Sequence, residues 1–363
     1  MPSLHAPTLD RAPWATSSRR RFLQGSGAAL GGALLGSPLS ALAQSYSGDL
    51  LVSNWGGDWN TNLVAALEQP ELESRGMRIV RDLAAAPARK TKILSERNLP
   101  RGSVDVAHFT DADAFELYQQ GVLEELDYSK IPNAKHLLPS MGKPYYVPLY
   151  DSGVVIIYNK NKIKTPPKSF ADLINPAYAG RVGLIDQIYF NYFFAFGLLG
   201  GGSMSNVEPA FDKLLALKKA VQPRIYPSHQ QAAAALASEE IWITVNYNAR
   251  AAQWKADGIP VEAAYPAEGA IAFEGSVCIP KRARNKDNAY QYLNAMLQPQ
   301  VAQRLVETTY YAVPIDNAGF APDVASAVSF TPEQRARLNR PDLAYAAKNQ
   351  AAWLDWWNKE IKI

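Results

Sequence analysis

The 363-residue chain has one cysteine, Cys278, and four histidines. A single thiol excludes an intramolecular disulfide and a cysteine-rich metal centre. Its place in the apolar run SVCIP predicts a buried, inert side chain. His5, His108, His136 and His229 are scattered, with no pair at the short spacing that a zinc site requires. No phosphate-cradling loop, nucleophile elbow or dinucleotide fingerprint occurs. The glycine-rich LLGGGS at 198–203 follows a helix-like stretch instead of a strand, so it reads as a helix stop. With no nucleophile–base pair and no metal cluster, an enzyme is disfavoured and no cofactor is expected.

Long apolar runs are also scarce. The longest small and apolar stretch, 25–39, is broken by Gly31, Gly32, Gly36 and Pro38, and a membrane span needs about 20 predominantly apolar residues. Preceded by SRRRFLQ and followed by ALA before Gln44, it reads as a twin-arginine export signal, 1–43, with cleavage after Ala43. Without that segment, which holds Arg11, Arg19, Arg20 and Arg21 against Asp10, the chain keeps 33 basic and 33 acidic side chains. A formally neutral protein lacks the concentrated basic surface that nucleic acid demands. The expectation is a monomer free in the periplasm.

What is present is an alternation of short β-branched runs with longer amphipathic segments, the mark of an α/β fold. Strand-like runs occupy 49–54, 77–82, 104–109, 153–159, 181–185, 241–247 and 276–280. Helix-like segments include 113–120, stopped by Gly121, then 211–220, 288–297 and 301–306. Two extended, proline-bearing passages, YYVPLYDSG and AAYPAEGAIAFEGS, are expected to cross between two lobes, with a third crossing at YYAVPIDN. The implied division is 44–151 with 273–314 for one lobe and 152–272 with 315–363 for the other, leaving a cleft between them.

Ligands of α/β sheets meet the loops at strand carboxyl ends, and these loops carry rings and acids together. Trp55 follows the first strand, Gly56 lets the backbone approach a guest, and Asp58 opens a helix in which Trp59 is expected to pack. FTDAD supplies Thr110 and Asp111, with Asp111 or Asp113 as the alternative helix cap. LYDSG supplies Tyr150 and Asp151 at one crossing, and LIDQIYF supplies Asp186 and Tyr189. TVNYNAR supplies Tyr247 and Asn248, and IAFEGS supplies Phe273 and Glu274 at the other crossing. Trp353, Trp356 and Trp357, at helical spacing, are expected in the core.

The segments NWGG, VDVAHFTDADAFELYQQGVLEELD, YYVPLYDSGVVIIYNKNKI, SFADLINPAYAGRVGLID and SVCIPKRARNKDNAYQYLNAMLQPQVAQRLVE, followed by YAVPIDN, carry a resemblance over essentially the whole chain past residue 43. It resembles the extracellular solute-binding proteins of the spermidine/putrescine-binding type. The resemblance implies a two-lobed, type II-like periplasmic binding protein that delivers a small, amine-containing or polyamine-like solute to ABC transporter permease subunits. It also implies aromatic rings along the solute and carboxylates at its amines, with Trp55, Tyr247 and Phe273 at aromatic positions of the pattern. The chain departs from that pattern at Gly275, where an aspartate is expected, and at Asp186, which lacks an acidic partner three residues away. A monoamine, a zwitterion or an aromatic solute therefore stands beside a polyamine. A ferric-ion receptor using Tyr310 and Tyr311, and an enzyme on the same frame, are the alternatives.

Overall fold

The computed structural model describes residues 46–139, 141–321, 324, 328 and 330–362. The expected export signal lies outside the described residues. β1 (Asp49–Asn54), β2 (Arg78–Leu83) and β3 (Val106–Thr110) pair in parallel, with β1 in the middle. Between them run α1 (Gly57–Leu63), which continues through a widened turn around Pro70, and α2 (Ala86–Ser95). Pro70 has no N–H to donate, which accounts for the local loosening of the helix. α3 (Asp111–Gln119) starts directly from β3 and ends before Gly121, whose φ of 70° suits the left-handed position after a helix.

A second parallel group joins β5 (Val182–Ile185), β6 (Arg224–Tyr226) and β7 (Ile243–Tyr247), covered by α4 (Tyr189–Leu199), α5 (Ala210–Val221), α6 (His229–Ala237) and α7 (Asn248–Ala256). β8 (Val261–Ala264) adds to this side through β4. Two long strands join the groups. β4 (Val147–Asn159) pairs antiparallel with β9 (Ile271–Cys278) along its first half and with β7 along its second. All thirteen residues of β4 are buried, so this strand is sheathed on both faces. Pro148 is tolerated where the β4–β9 register shifts between Pro148 and Tyr150. The sheet order is β2-β1-β3-β9-β4-β7-β5-β6.

Apolar packing follows the same division. One core gathers Leu50, Val52, Leu67 and Val106 with α8 (Lys286–Met296) and α9 (Pro299–Thr309). Another gathers Ile156, Leu184, Phe193 and Val245 with the C-terminal helix Leu343–Trp356, whose Trp353 stacks on Phe193 at 5.3 Å. Trp357 stacks on Tyr192 at 5.3 Å. Ile315, Ala318 and Val328 remain in the first core, so the chain returns to the second beyond Val328, whereas the sequence division placed everything from 315 onward in the second lobe. Bonds from Asp316 N to the His136 carbonyl and from the Gln303 amide to the Ala318 carbonyl hold this stretch to the first half. The α/β class and the two-lobed architecture expected from the sequence are those observed.

Candidate ligand-binding site

Parallel strands put their carboxyl ends, and hence the loops that follow, on the same side of the sheet. β1 ends at Asn54, whose side-chain oxygen accepts from Gly56 N at 2.8 Å and whose amide donates to Asn60. This turn, with Gly56 at φ 77°, projects Trp55 and starts α1 one residue beyond. Beneath Trp55 lies Arg89 of α2, buried, with its guanidinium carbon 4.9 Å from the Trp55 ring and 4.5 Å from Phe109. Arg89 donates to the carbonyls of Ala84, Ser53 and His108, so one cation ties together the ends of β1 and β3. Burial lowers its pKa to about 10.

Trp59 packs against the first core, as expected, through ring contacts. Its ring meets Trp55 at 6.0 Å, Tyr150 at 4.9 Å and Tyr311 at 6.5 Å, and its indole N–H is buried with no hydrogen-bond acceptor among the described residues. Tyr150 continues the cluster to Tyr311 at 4.4 Å and Phe273 at 5.9 Å, and Phe273 stacks on Tyr247 at 4.4 Å and 18°. Six rings from β1's loop, α1, β4, β7, β9 and the passage after α9 thus form one continuous aromatic wall. Burial raises the hydroxyl pKa of Tyr150, Tyr247 and Tyr311, so all three remain protonated donors.

The acids of the two crossing strands are arranged differently. Asp151 and Glu274 face each other as register partners on β4 and β9, each buried. Asp151 is paired with Arg335 at 3.1 Å; Glu274 is paired with Arg340 and accepts from the Tyr146 hydroxyl at 2.8 Å. Both arginines come from the segment around the short helix Pro332–Ala336. Burial raises the Asp151 pKa against the pull of Arg335. Asp111, at the start of α3, has no ion pair among the described residues. Burial and then the nearby Glu274 hold its carboxyl up at about 7.

Thr110 caps α3, accepting from Asp113 N at 3.1 Å, while the Asp111 carboxylate accepts from Ala112 N at 2.9 Å through one oxygen only. Thr110, Asp111, Tyr189, Asn191, Tyr247 and Phe273 line a cavity of about 180 Å³ that Pro341 and Gln350 close from the C-terminal side. Other candidates lie apart from it. Asp58 is exposed in the first turn of α1. Asp186 is committed to the chain's end, accepting from the Trp357 indole and from Lys362 at 2.8 Å each. Asn248 accepts from Ser152 and Gly153 and meets Tyr265. Tyr310 lines a separate depression with Asn248 and Tyr265, while Tyr311 joins the aromatic wall, so the adjacent tyrosines serve different surfaces.

Arg250 of α7 was absent from the sequence candidates. Its guanidinium carbon lies 5.9 Å from the Tyr311 ring, it donates to Gln253 at 2.7 Å, and its Nε is buried without an acceptor. No carboxylate pairs with it among the described residues. A basic residue on a helix following a strand end was the available signal.

A model of the family described as bacterial extracellular solute-binding protein matches residues 72–332. The spermidine/putrescine-binding periplasmic protein of Escherichia coli K12 is 28% identical over 236 residues, covering 61% of this chain and 67% of that relative. A gamma-aminobutyric acid-binding protein of Pseudomonas aeruginosa is 24% identical over 290 residues, covering 77% of this chain and 80% of its own. Among solved structures, an ABC transporter substrate-binding protein from Bradyrhizobium japonicum superposes with a TM-score of 0.74 at 23% identity, over 86% of this chain and 99% of that one, a likeness of fold.

Proposed function

Since this chain belongs to the bacterial extracellular solute-binding proteins, we propose that it is the periplasmic receptor of an ABC transporter, that it binds a small amine-bearing solute at the aromatic wall, and that it catalyses no reaction. The relatives' names share an amine, and the one observation that carries the reading is the convergence of Trp55, Tyr150, Tyr247 and Phe273 from four separate segments beside the unpaired carboxylate of Asp111. Aromatic faces attract a cation by about 0.5–2 kcal/mol each, and a carboxylate supplies a charge-assisted hydrogen bond. The crossings at β4 and β9 act as hinges in this proposal, and the closed state is selected because the solute touches both lobes only when they meet. Export through the twin-arginine signal, a monomeric state and delivery to membrane permease subunits complete it; among the described residues no helix is long and apolar enough to cross a membrane.

Ligand-stripped protein screened by thermal shift against amines, diamines and amino acids tests the reading. A solute that binds the native state alone raises the midpoint by mass action. Flat midpoints across every class at millimolar solute would refute it.

A further inference from the structure

The charges that remain unpaired after folding specify the solute more narrowly than the composition of the cleft does. A diamine needs two anionic ends. Of the three carboxylates by the aromatic wall, Asp151 and Glu274 are already ion-paired with the chain's own Arg335 and Arg340, Asp151 through Oδ2 alone, its Oδ1 being buried without a donor among the described residues. No further acid follows Glu274 on β9, where the next residue is Gly275. The ring of Tyr150 lies against that glycine's α-carbon, so tightly that a Cβ there would stand 2.1 Å from Cε1 and Cζ of the ring. The space that a side chain would take at this position is thus filled by the Tyr150 ring.

On the donor side, Arg89 Nη2, Arg250 Nε and the Trp59 indole N–H are buried without acceptors among the described residues, and the last two share a neighbour. The Nε of Arg250 and the indole N–H of Trp59 are both buried and unpartnered, and both side chains adjoin the Tyr311 ring, at 5.9 Å and 6.5 Å. Buried polar groups in native proteins nearly always find a partner, so a pair of orphans at one ring marks a place for an acceptor supplied from outside. Asp111 lines a cavity with Tyr247 and Phe273, and Phe273 leads through Tyr150 and Tyr311 to Arg250, so one negative and one positive group border the same ring cluster.

Resting on the receptor reading above, we infer that the solute is a zwitterion, a short amino acid whose carboxylate is held by Arg250 and the Trp59 indole and whose ammonium is held by Asp111. A planar guanidinium offers a carboxylate two parallel donors, and the indole adds a third. A diamine presents an ammonium to Arg250 instead, and like charges in a closed cleft repel without water to screen them.

Calorimetric titration of ligand-stripped protein with 4-aminobutanoate, 5-aminopentanoate, 1,4-diaminobutane and n-butylamine tests this. At least one amino acid binds more tightly than both amines. Arg250→Gln weakens that amino acid by about 10- to 100-fold and Trp59→Phe, which keeps a ring, by about 2- to 10-fold, while n-butylamine changes by less than about 3-fold in either variant. Trp59→Phe carries the test if Arg250→Gln fails to fold by circular dichroism. If 1,4-diaminobutane binds as tightly as the amino acids, or if the variants weaken amine and amino acid alike, the inference falls while the receptor reading stands. If none of the four binds, both fall.

Discussion

Replacing Gly275 with alanine isolates one contact. The position is extended backbone within β9, in register with Thr110 of β3 and Tyr150 of β4, so alanine meets no conformational obstacle. In a strand interior alanine is intrinsically better than glycine by about 0.5–1 kcal/mol, and any net loss must come from what the new methyl touches. It would lie 2.1 Å from two atoms of the Tyr150 ring and 2.6 Å from a third, whereas carbon atoms pack at about 3.5–4.0 Å. The ring must therefore retreat by roughly 1 Å or more, and it is held by Trp59 at 4.9 Å and Tyr311 at 4.4 Å. Overpacking of this kind costs about 1–3 kcal/mol, a fall in melting temperature of a few degrees for a chain of this size. Urea denaturation of wild type, Gly275→Ala, Tyr150→Ala and the double variant forms the test. Tyr150→Ala alone loses about 3–5 kcal/mol by analogy with other large aromatic truncations, but in that background the added methyl enters empty space and costs nothing. The cycle then shows a coupling of about 1–3 kcal/mol. Additivity within about 0.5 kcal/mol, the range for independent sites, would show that the ring does not occupy the glycine's missing side chain.

Asp111, raised to about 7 by burial and by Glu274, with Asp113 and Arg340 also acting on it, is half protonated at neutral pH in the free protein. An ammonium favours the carboxylate, so amine affinity rises with pH through about 7 and falls about tenfold per unit below it; calorimetry across pH 5.5–8.5 that shows no slope, or a slope surviving Asp111→Asn, refutes this. His108 sits at one end of a buried chain, bonded at 3.0 Å to the Tyr292 hydroxyl, which in turn donates to Glu68, and burial followed by Arg89 lowers its pKa to about 3. A folded pKa below the unfolded value means that its contribution is present above about pH 6.5 and is lost as pH falls toward 3, at up to about 1.4 kcal/mol per unit. The difference in urea stability between wild type and His108→Asn should shrink between pH 7 and 5. Arg89→Leu leaves the carbonyls of Ser53 and His108 without their donor and removes the plane under Trp55. Stability should fall by about 3 kcal/mol or more and solute affinity with it, and an unchanged melting temperature would contradict the assigned role.

The sequence exposes whatever depends on neighbours and conceals whatever depends on reach. β1 is legible to the residue, because the run DLLVSN has the composition and flanks of a buried strand; the second half of β4 is legible for the same reason. The first half is obscured by Pro148, whose tolerance depends on an irregular register with a strand more than a hundred residues away. Trp59 reads as a helix residue that packs inward, and it does pack, but against Tyr150 and Tyr311, whose arrival at that place is a property of the whole fold. The arginines are the sharper case. Arg335 reaches Asp151 across 184 residues of sequence and Arg340 reaches Glu274 across 66, and no local pattern announces either pairing. Counting acids and rings at strand ends therefore yields a cleft suited to a cation, while the folded chain has ion-paired two of those acids itself and left Arg250 without a carboxylate among the described residues. What a receptor presents to a solute is the charge that its own packing leaves unmatched.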